Sequence, residues 1–210
     1  MSVHLTYFPV YAKAELIRWL LHYNGVEYTE RTVTFPEWAE LKASGYPEFG
    51  SLPMLEVDGY KLSQSLAIAR YLAIKFDMVP ADSRAKWEVD SIMDACGDII
   101  SARGRTYWME SAENFTELTT VKMFDTLSIF QARLDSHNNG EGFLTGDRVT
   151  VGDLALARVI YDAYMTGEYV EKYGPVLDEK LPRLKDYALR VINTSESLQK
   201  YLSERPFYPV

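Results

Sequence analysis

The sequence predicts an α/β domain followed by an all-helical domain. Three observations carry this expectation. Over the first 78 or so residues, strand and helix patterns alternate in the order β-α-β and then β-β-α. Met78-Val79-Pro80-Ala81-Asp82 then has the composition of a linker. From Ser83 onward strand patterns nearly vanish and apolar residues recur at helical spacing. The expected domains are therefore 1–78 and 83–210.

The elements follow in order. Val3-His4-Leu5-Thr6-Tyr7 alternates as a half-buried strand does, and Pro9 stops it. Ala14, Leu16, Ile17, Leu20 and Leu21 share one helical stripe, which Asn24-Gly25 terminates. Tyr28 to Thr34 is rich in β-branched residues and reads as a second strand. This strand-helix-strand run has the size of a βαβ unit. Trp38 to Gly45 reads as a short irregular or helical stretch. Met54 to Val57 and Tyr60 to Leu62 flank Asp58-Gly59, a strong hairpin signature. Ser65 is then expected to cap a helix carrying Leu66, Ile68, Ala69, Leu72 and Ile74. The four strands are expected to share one sheet. In the second region helices are expected near 83–109, 115–137, 151–165 and 181–192, with a short one near 196–203. Glycines at 140, 142 and 146 punctuate the loop before the third of these.

Composition narrows the function. Of 210 residues, 30 are acidic and 22 are Lys or Arg, a net charge of −8. A protein that tracks phosphates needs the opposite sign, so nucleic acid is not an expected partner. Cys96 is the single cysteine, which excludes an intrachain disulfide and a cysteine metal cluster. No stretch reaches the ~18 apolar residues of a membrane span, and Met1 to Tyr7 do not resemble a secretory signal. A cytoplasmic protein without membrane association is the expectation. His4, His22 and His137 are far apart and lack ligand spacing, so no metal is expected. Gly-rich phosphate loops and a G-x-S-x-G nucleophile elbow are absent. Cys96, between Ala95 and Gly97, reads as a small buried hydrophobe in preference to a nucleophile.

Three features remain. Tyr7 ends the first strand just before a helix, where ligands sit in open α/β sheets; it is either a core aromatic or a chemical group. Pro53 is either an ordinary trans residue or a cis proline that exposes the backbone of Leu52 to an extended ligand. Ser65 either caps its helix or helps bind a carboxylate at the helix N-terminus. All three can face one groove.

Tyr7-Phe8-Pro9, Trp38, Lys42, Phe49-Gly50-Ser51-Leu52-Pro53, Asp58-Gly59 and Gln64-Ser65 with the helix to Leu72 together resemble the cytosolic glutathione transferases. The similarity is closest to the Sigma class, with the Pi class nearby. Phe143 to Leu156 resembles the family's helical-domain signature, with Thr150 and Asp153 as a capping box. The resemblance covers the whole chain and implies a thioredoxin-like N-terminal domain joined to an all-helical one.

It also implies roles. Tyr7 becomes the hydroxyl that hydrogen-bonds the glutathione sulfur and favours the thiolate. A free thiol titrates near ~8.5, so the thiolate needs that help at neutral pH. Glutathione, as co-substrate, would meet Phe8, Lys13, Trp38, Lys42, Ser51, Leu52, Pro53, Gln64 and Ser65, and Asp98 of the neighbouring subunit. Lys13 and Ser51 depart from the common Arg and from Gln or Lys. Phe49 matches an aromatic that plugs a pocket on a partner subunit, implying a homodimer. The hydrophobic electrophile would meet Val10, Tyr107, Trp108 and Phe207, with Arg103 and Arg105 in a mixed polar-aromatic wall. Alternatives to conjugation are a glutathione-dependent isomerase of the prostaglandin D synthase type, or a non-catalytic crystallin-like or ligand-carrying relative.

Overall fold

A computed structural model describes residues 2–136, 140–208 and 210. β1 (Val3–Tyr7), α1 (Glu15–Tyr23) and β2 (Thr29–Thr32) come first, followed by α2 (Phe35–Ala43), β3 (Met54–Val57), β4 (Tyr60–Ser63) and α3 (Ser65–Lys75). The sheet order is β2-β1-β3-β4. β1 runs parallel to β2 with His4 opposite Thr29, and antiparallel to β3 with Leu5 opposite Leu55. β3 and β4 form the hairpin expected at Asp58-Gly59. Both turn residues have positive φ, 52° and 81°, which a two-residue turn of type I′ requires. β2 is exposed along its length at the sheet edge.

Burial explains why these segments hold their places. Val3, Leu5 and Tyr7 alternate inward from β1, and Leu16, Ile17, Trp19, Leu20 and Leu21 cover them from α1. Each such aliphatic side chain contributes about 2 kcal/mol when removed from water. The stretch around Trp38 resolves into a helix, α2. Its start is a capping box: Glu37 Oε2 accepts from the Thr34 N–H at 2.8 Å and from the Thr34 hydroxyl at 2.7 Å.

The helical region begins with α4 (Ser83–Met109), capped by the Asp82 carboxylate on the Arg84 and Ala85 N–H groups. It continues through α5 (Ala112–Glu117), α6 (Met123–Ser136), α7 (Val151–Tyr164), α8 (Tyr169–Lys172), α9 (Gly174–Lys180), α10 (Pro182–Ile192) and α11 (Glu196–Glu204). α7 is the central helix. Val151 to Tyr164 is buried except at Tyr161, and it packs on α4, α10 and, across the domain boundary, α1.

Three expectations change. The helix expected over 115–137 starts at Ala112 and is interrupted by a π turn, Leu118–Lys122. Thr119 and Thr120 hydroxyls donate to the carbonyls of Phe115 and Thr116 there, a back-bonding pattern that loosens the helical ladder. α8 and α9 were not expected, because Gly, Pro and Tyr in 164–175 hide so short a helical pattern. Gln64, not Ser65, occupies the cap position of α3, with φ +69° and no side-chain cap; Ser65 is the first helical residue.

Candidate active site

The end of β1 delivers Tyr7 to a short loop, after which Ala12–Ala14 makes a 3-10 turn into α1. Tyr7 is 5% exposed. Its Oη accepts the backbone N–H of Lys13 at 3.1 Å. Among the described residues nothing accepts the phenol's own proton. Burial pushes the Tyr7 pKa up, against the Lys13 N–H and the nearby Arg18 and Arg158 charges. The phenol is therefore neutral at physiological pH and has a hydrogen bond to give.

The loop itself is held by cations. Arg18 Nη1 donates to the Val10 carbonyl at 2.9 Å, and Arg158 of α7 donates to the carbonyl of Ala12. Ala12 has φ +30°, a conformation an alanine keeps only when its surroundings impose it. The two arginines belong to one buried charge chain. Arg158 pairs with Asp162 at 2.8 Å, Asp162 with Arg205 at 2.6 Å, Arg205 with Glu15, and Glu15 with Arg18 at 2.9 Å. Arg18 also reaches Glu30 on β2. Tyr11 is locked from the other side: its N–H donates to the Val210 carbonyl at 2.8 Å and its hydroxyl to that of Pro206 at 2.6 Å. A cleft of about 560 Å³ opens over this chain among Arg18, His22, Tyr201 and Tyr208.

The expected glutathione contacts fall into two groups around Tyr7. In the first, Phe8 packs on Tyr7 and Trp38, with ring centroids 5.6 Å apart in both pairs. Lys42 Nζ lies 5.9 Å from the Trp38 ring centre, and its Cε lies beside Gly50. Leu52 and Pro53 are buried and joined by a cis bond, and Ser51 is exposed. In the second group, Lys13, Gln64, Ser65 and Asp98 line one cleft of about 450 Å³, together with Ser101 and Arg158. The first turn of α3 opens onto this cleft, and no side chain caps its N–H groups. A carboxylate fits such a helix end, and Lys13 adds a cation. The Asp98 that lines the cleft is the same chain's.

The expected electrophile residues are only partly gathered. Tyr107 stacks edge-on to Trp108 and to Phe115, and Phe207 meets Tyr169, a neighbour of Phe115. Val10 sits on the Tyr7 loop, half-buried against the core. Arg103, expected in a mixed polar-aromatic wall, lies beneath the aromatic residues. It is 3% exposed, sandwiched under Phe115 and Tyr169 and hydrogen-bonded to Thr119. Burial pulls its pKa down. Arg105 is exposed. Cys96 is buried and burial pushes its thiol up to about 12, as an inert thiol requires. Among the described residues no three His, Cys, Asp or Glu side chains gather as metal ligands; His137 lies outside those residues. No described helix is long and apolar enough to cross a membrane.

Residues 2–74 match the family model for the glutathione S-transferase N-terminal domain, and residues 98–205 match that for the C-terminal domain. The chain belongs to the glutathione S-transferase family. A probable glutathione S-transferase 6 of Caenorhabditis elegans is 30% identical over 98% of this chain and 97% of its own. Human hematopoietic prostaglandin D synthase is 34% identical over 71% of this chain and 73% of its own. A monomeric glutathione S-transferase from the hookworm Necator americanus superposes with a TM-score of 0.81 at 29% identity, covering 100% of both chains. This glutathione transferase therefore has the thioredoxin-like and helical domains expected of it, in a family that uses glutathione as co-substrate and binds hydrophobic ligands. Arg18 and Arg158, which hold the Tyr7 loop, were not singled out from the sequence of the transferase. A signal existed for one of them. Arg158 and Asp162 are an i, i+4 pair of opposite charges in a helix whose residues after Asp153 are otherwise Leu, Ala, Val, Ile and Tyr.

Proposed function

We propose that this transferase conjugates the thiolate of reduced glutathione to hydrophobic electrophiles, with Tyr7 stabilising the thiolate. The observation that carries the reading is the Tyr7 phenol. It is neutral, oriented by the Lys13 N–H, and its proton is unclaimed among the described residues. Given to a sulfur, that proton makes a hydrogen bond that favours the thiolate and lowers the thiol pKa. The thiolate attacks an electrophilic carbon and displaces the leaving group, and no protein nucleophile is needed.

The remaining contacts divide along the peptide. Gln64, Ser65 and the open α3 N-terminus take the γ-glutamyl carboxylate. Leu52, before cis Pro53, pairs through its backbone with the cysteinyl unit. Trp38 and Lys42 hold the glycine end, Lys13 adds its charge beside the α3 N-terminus, Ser51 stands just before the Leu52-Pro53 pair, and Phe8 walls the site. Asp98 reaches the γ-glutamyl amine in the neighbouring subunit. Val10, Tyr107, Trp108 and Phe207 meet the electrophile. The domains are 1–78 and 83–210, and the chain is a cytoplasmic, Sigma-type enzyme.

A two-fold homodimer fits Phe49, which is 60% exposed. A cleft of about 250 Å³ on the α4 and π-turn face offers it a receptor, with Ala95, Ile99, Ala102, Leu118 and Met123 as an apolar floor and Asp98, Lys122 and Thr126 also lining it. A second reading, glutathione-dependent isomerisation of an endoperoxide, is favoured by the 34% identity to the human prostaglandin D synthase.

The test is Tyr7→Phe assayed with an aryl halide and a prostaglandin endoperoxide at neutral pH. Turnover is expected to fall steeply while retention on immobilised glutathione persists. Near-full turnover would remove Tyr7 as thiol activator, and turnover of the endoperoxide alone would favour the isomerase.

A further inference from the structure

We propose that Arg158 is a positioning residue for Tyr7, acting through the peptide unit between Ala12 and Lys13. One peptide carries both contacts. Its carbonyl accepts from Arg158, and its N–H donates to the Tyr7 oxygen. In a trans peptide these two groups point in opposite directions within one rigid plane. A guanidinium fixing the carbonyl therefore aims the N–H. It also polarises the peptide and strengthens that N–H as a donor. The backbone at Ala12, with φ +30°, needs such a hold.

Other charges near Tyr7 act differently. The Arg18 guanidinium lies 5.8 Å from the Tyr7 ring centre but is held by Glu15 and Glu30 and bonds to Val10. Lys13 contributes its backbone N–H, and its side chain lines the cleft. Arg158 is anchored by Asp162, whose second partner is Arg205. Replacing Arg158 therefore leaves Asp162 paired. The consequence for turnover rests on the reading of Tyr7 as thiolate stabiliser. A weaker Lys13 N–H makes the phenol a poorer donor, so the bound thiol ionises at higher pH.

The experiment compares the full-length protein with Arg158→Met, Arg158→Lys and Asp162→Asn. Asp162→Asn loosens the same ion pair and leaves the carbonyl contact. Amide hydrogen exchange of Lys13 is read by NMR, and the pH profile of kcat/KM by an aryl halide assay. Both Arg158 variants are expected to speed Lys13 exchange about tenfold. They are also expected to move the acid limb of kcat/KM up by about one pH unit. Asp162→Asn is expected to do neither. Unchanged Lys13 exchange in the folded Arg158 variants, or an equal effect in Asp162→Asn, overturns the proposal. If Arg158→Met does not fold, Arg158→Lys decides by the same measurements. If Tyr7→Phe keeps its turnover, the thiolate reading fails, and the exchange data still decide whether Arg158 aims the Lys13 N–H. With Tyr7→Phe inactive, an unmoved acid limb overturns the link to catalysis.

Discussion

The hydroxyl of Tyr187 donates to Oδ1 of Asp153 at 2.6 Å in the centre of the helical domain. Both residues are fully buried. The same carboxylate accepts the Leu144 N–H at 2.9 Å and the Thr150 N–H and hydroxyl at 2.8 and 2.7 Å. Four donors thus make a buried anion tolerable and tie together the start of α7, the loop before it and α10.

Asp153→Ala should therefore destabilise the protein by about 3 kcal/mol, because it strips a charged acceptor and leaves buried donors unpaired. Urea unfolding monitored by circular dichroism measures this. The folded fraction should bind glutathione with unchanged affinity, since Asp153 is not among the residues lining the Gln64 cleft.

Phe49→Ala tests the assembly. A two-fold interface loses two rings at once, at about 2 kcal/mol each. Sedimentation equilibrium should show the dimer dissociation constant rising by about three orders of magnitude. An unchanged association would assign Phe49 to another role.

The thiol of Cys96 should be silent in the folded state. With its pKa near 12, against ~8.5 for an exposed cysteine, its thiolate fraction at pH 8 falls by about a thousandfold or more. Iodoacetamide labelling followed by mass spectrometry should be slow in buffer and rapid in urea. Rapid labelling in buffer would mean that α4 opens readily around it.

Burial holds the His22 imidazole below its ordinary pKa, against the opposing pull of Glu15 and Glu30. The unfolded chain thus takes up this proton first, near ~6.5. Stability must fall as pH drops through that value toward the folded one. His22→Phe keeps the stack on Tyr201, whose ring lies 4.0 Å away. Its melting temperature should drop less than the parent's between pH 8 and 5.5. Parallel curves would place the acid sensitivity elsewhere.

Elements set by local pattern were legible in the sequence. Asp58-Gly59 marks its hairpin because two successive positive φ angles leave few other residue choices. The Thr150-Asp153 pair marks a helix start through local hydrogen bonds. What distant chain decides was not legible. Arg103 was expected in a wall with Tyr107 and Trp108, and nothing local showed that Phe115, Thr119 and Tyr169 would enclose it. Gln64 takes the cap of α3 in a conformation that composition disfavours. Arg158 reaches Ala12 from 146 positions away, a pairing no sequence window contains. The candidate site divides in the same way. The resemblance pointed to the side chains around Tyr7, and the charges that hold its loop came from the fold.

The buried charge chain has a consequence for timing. Arg205 follows Glu15 by 190 positions. During synthesis the sheet and its helices leave the ribosome long before that arginine does. Until then Glu15 has Arg18 as its cation, and Tyr11 lacks the carbonyls of Pro206 and Val210. The nascent chain therefore carries a loop that Arg18 and Arg158 already hold at Val10 and Ala12, with Tyr11 not yet fastened. Arg205, Pro206 and Val210 act as the closing stitch, so Tyr11 takes its set position only once they have emerged.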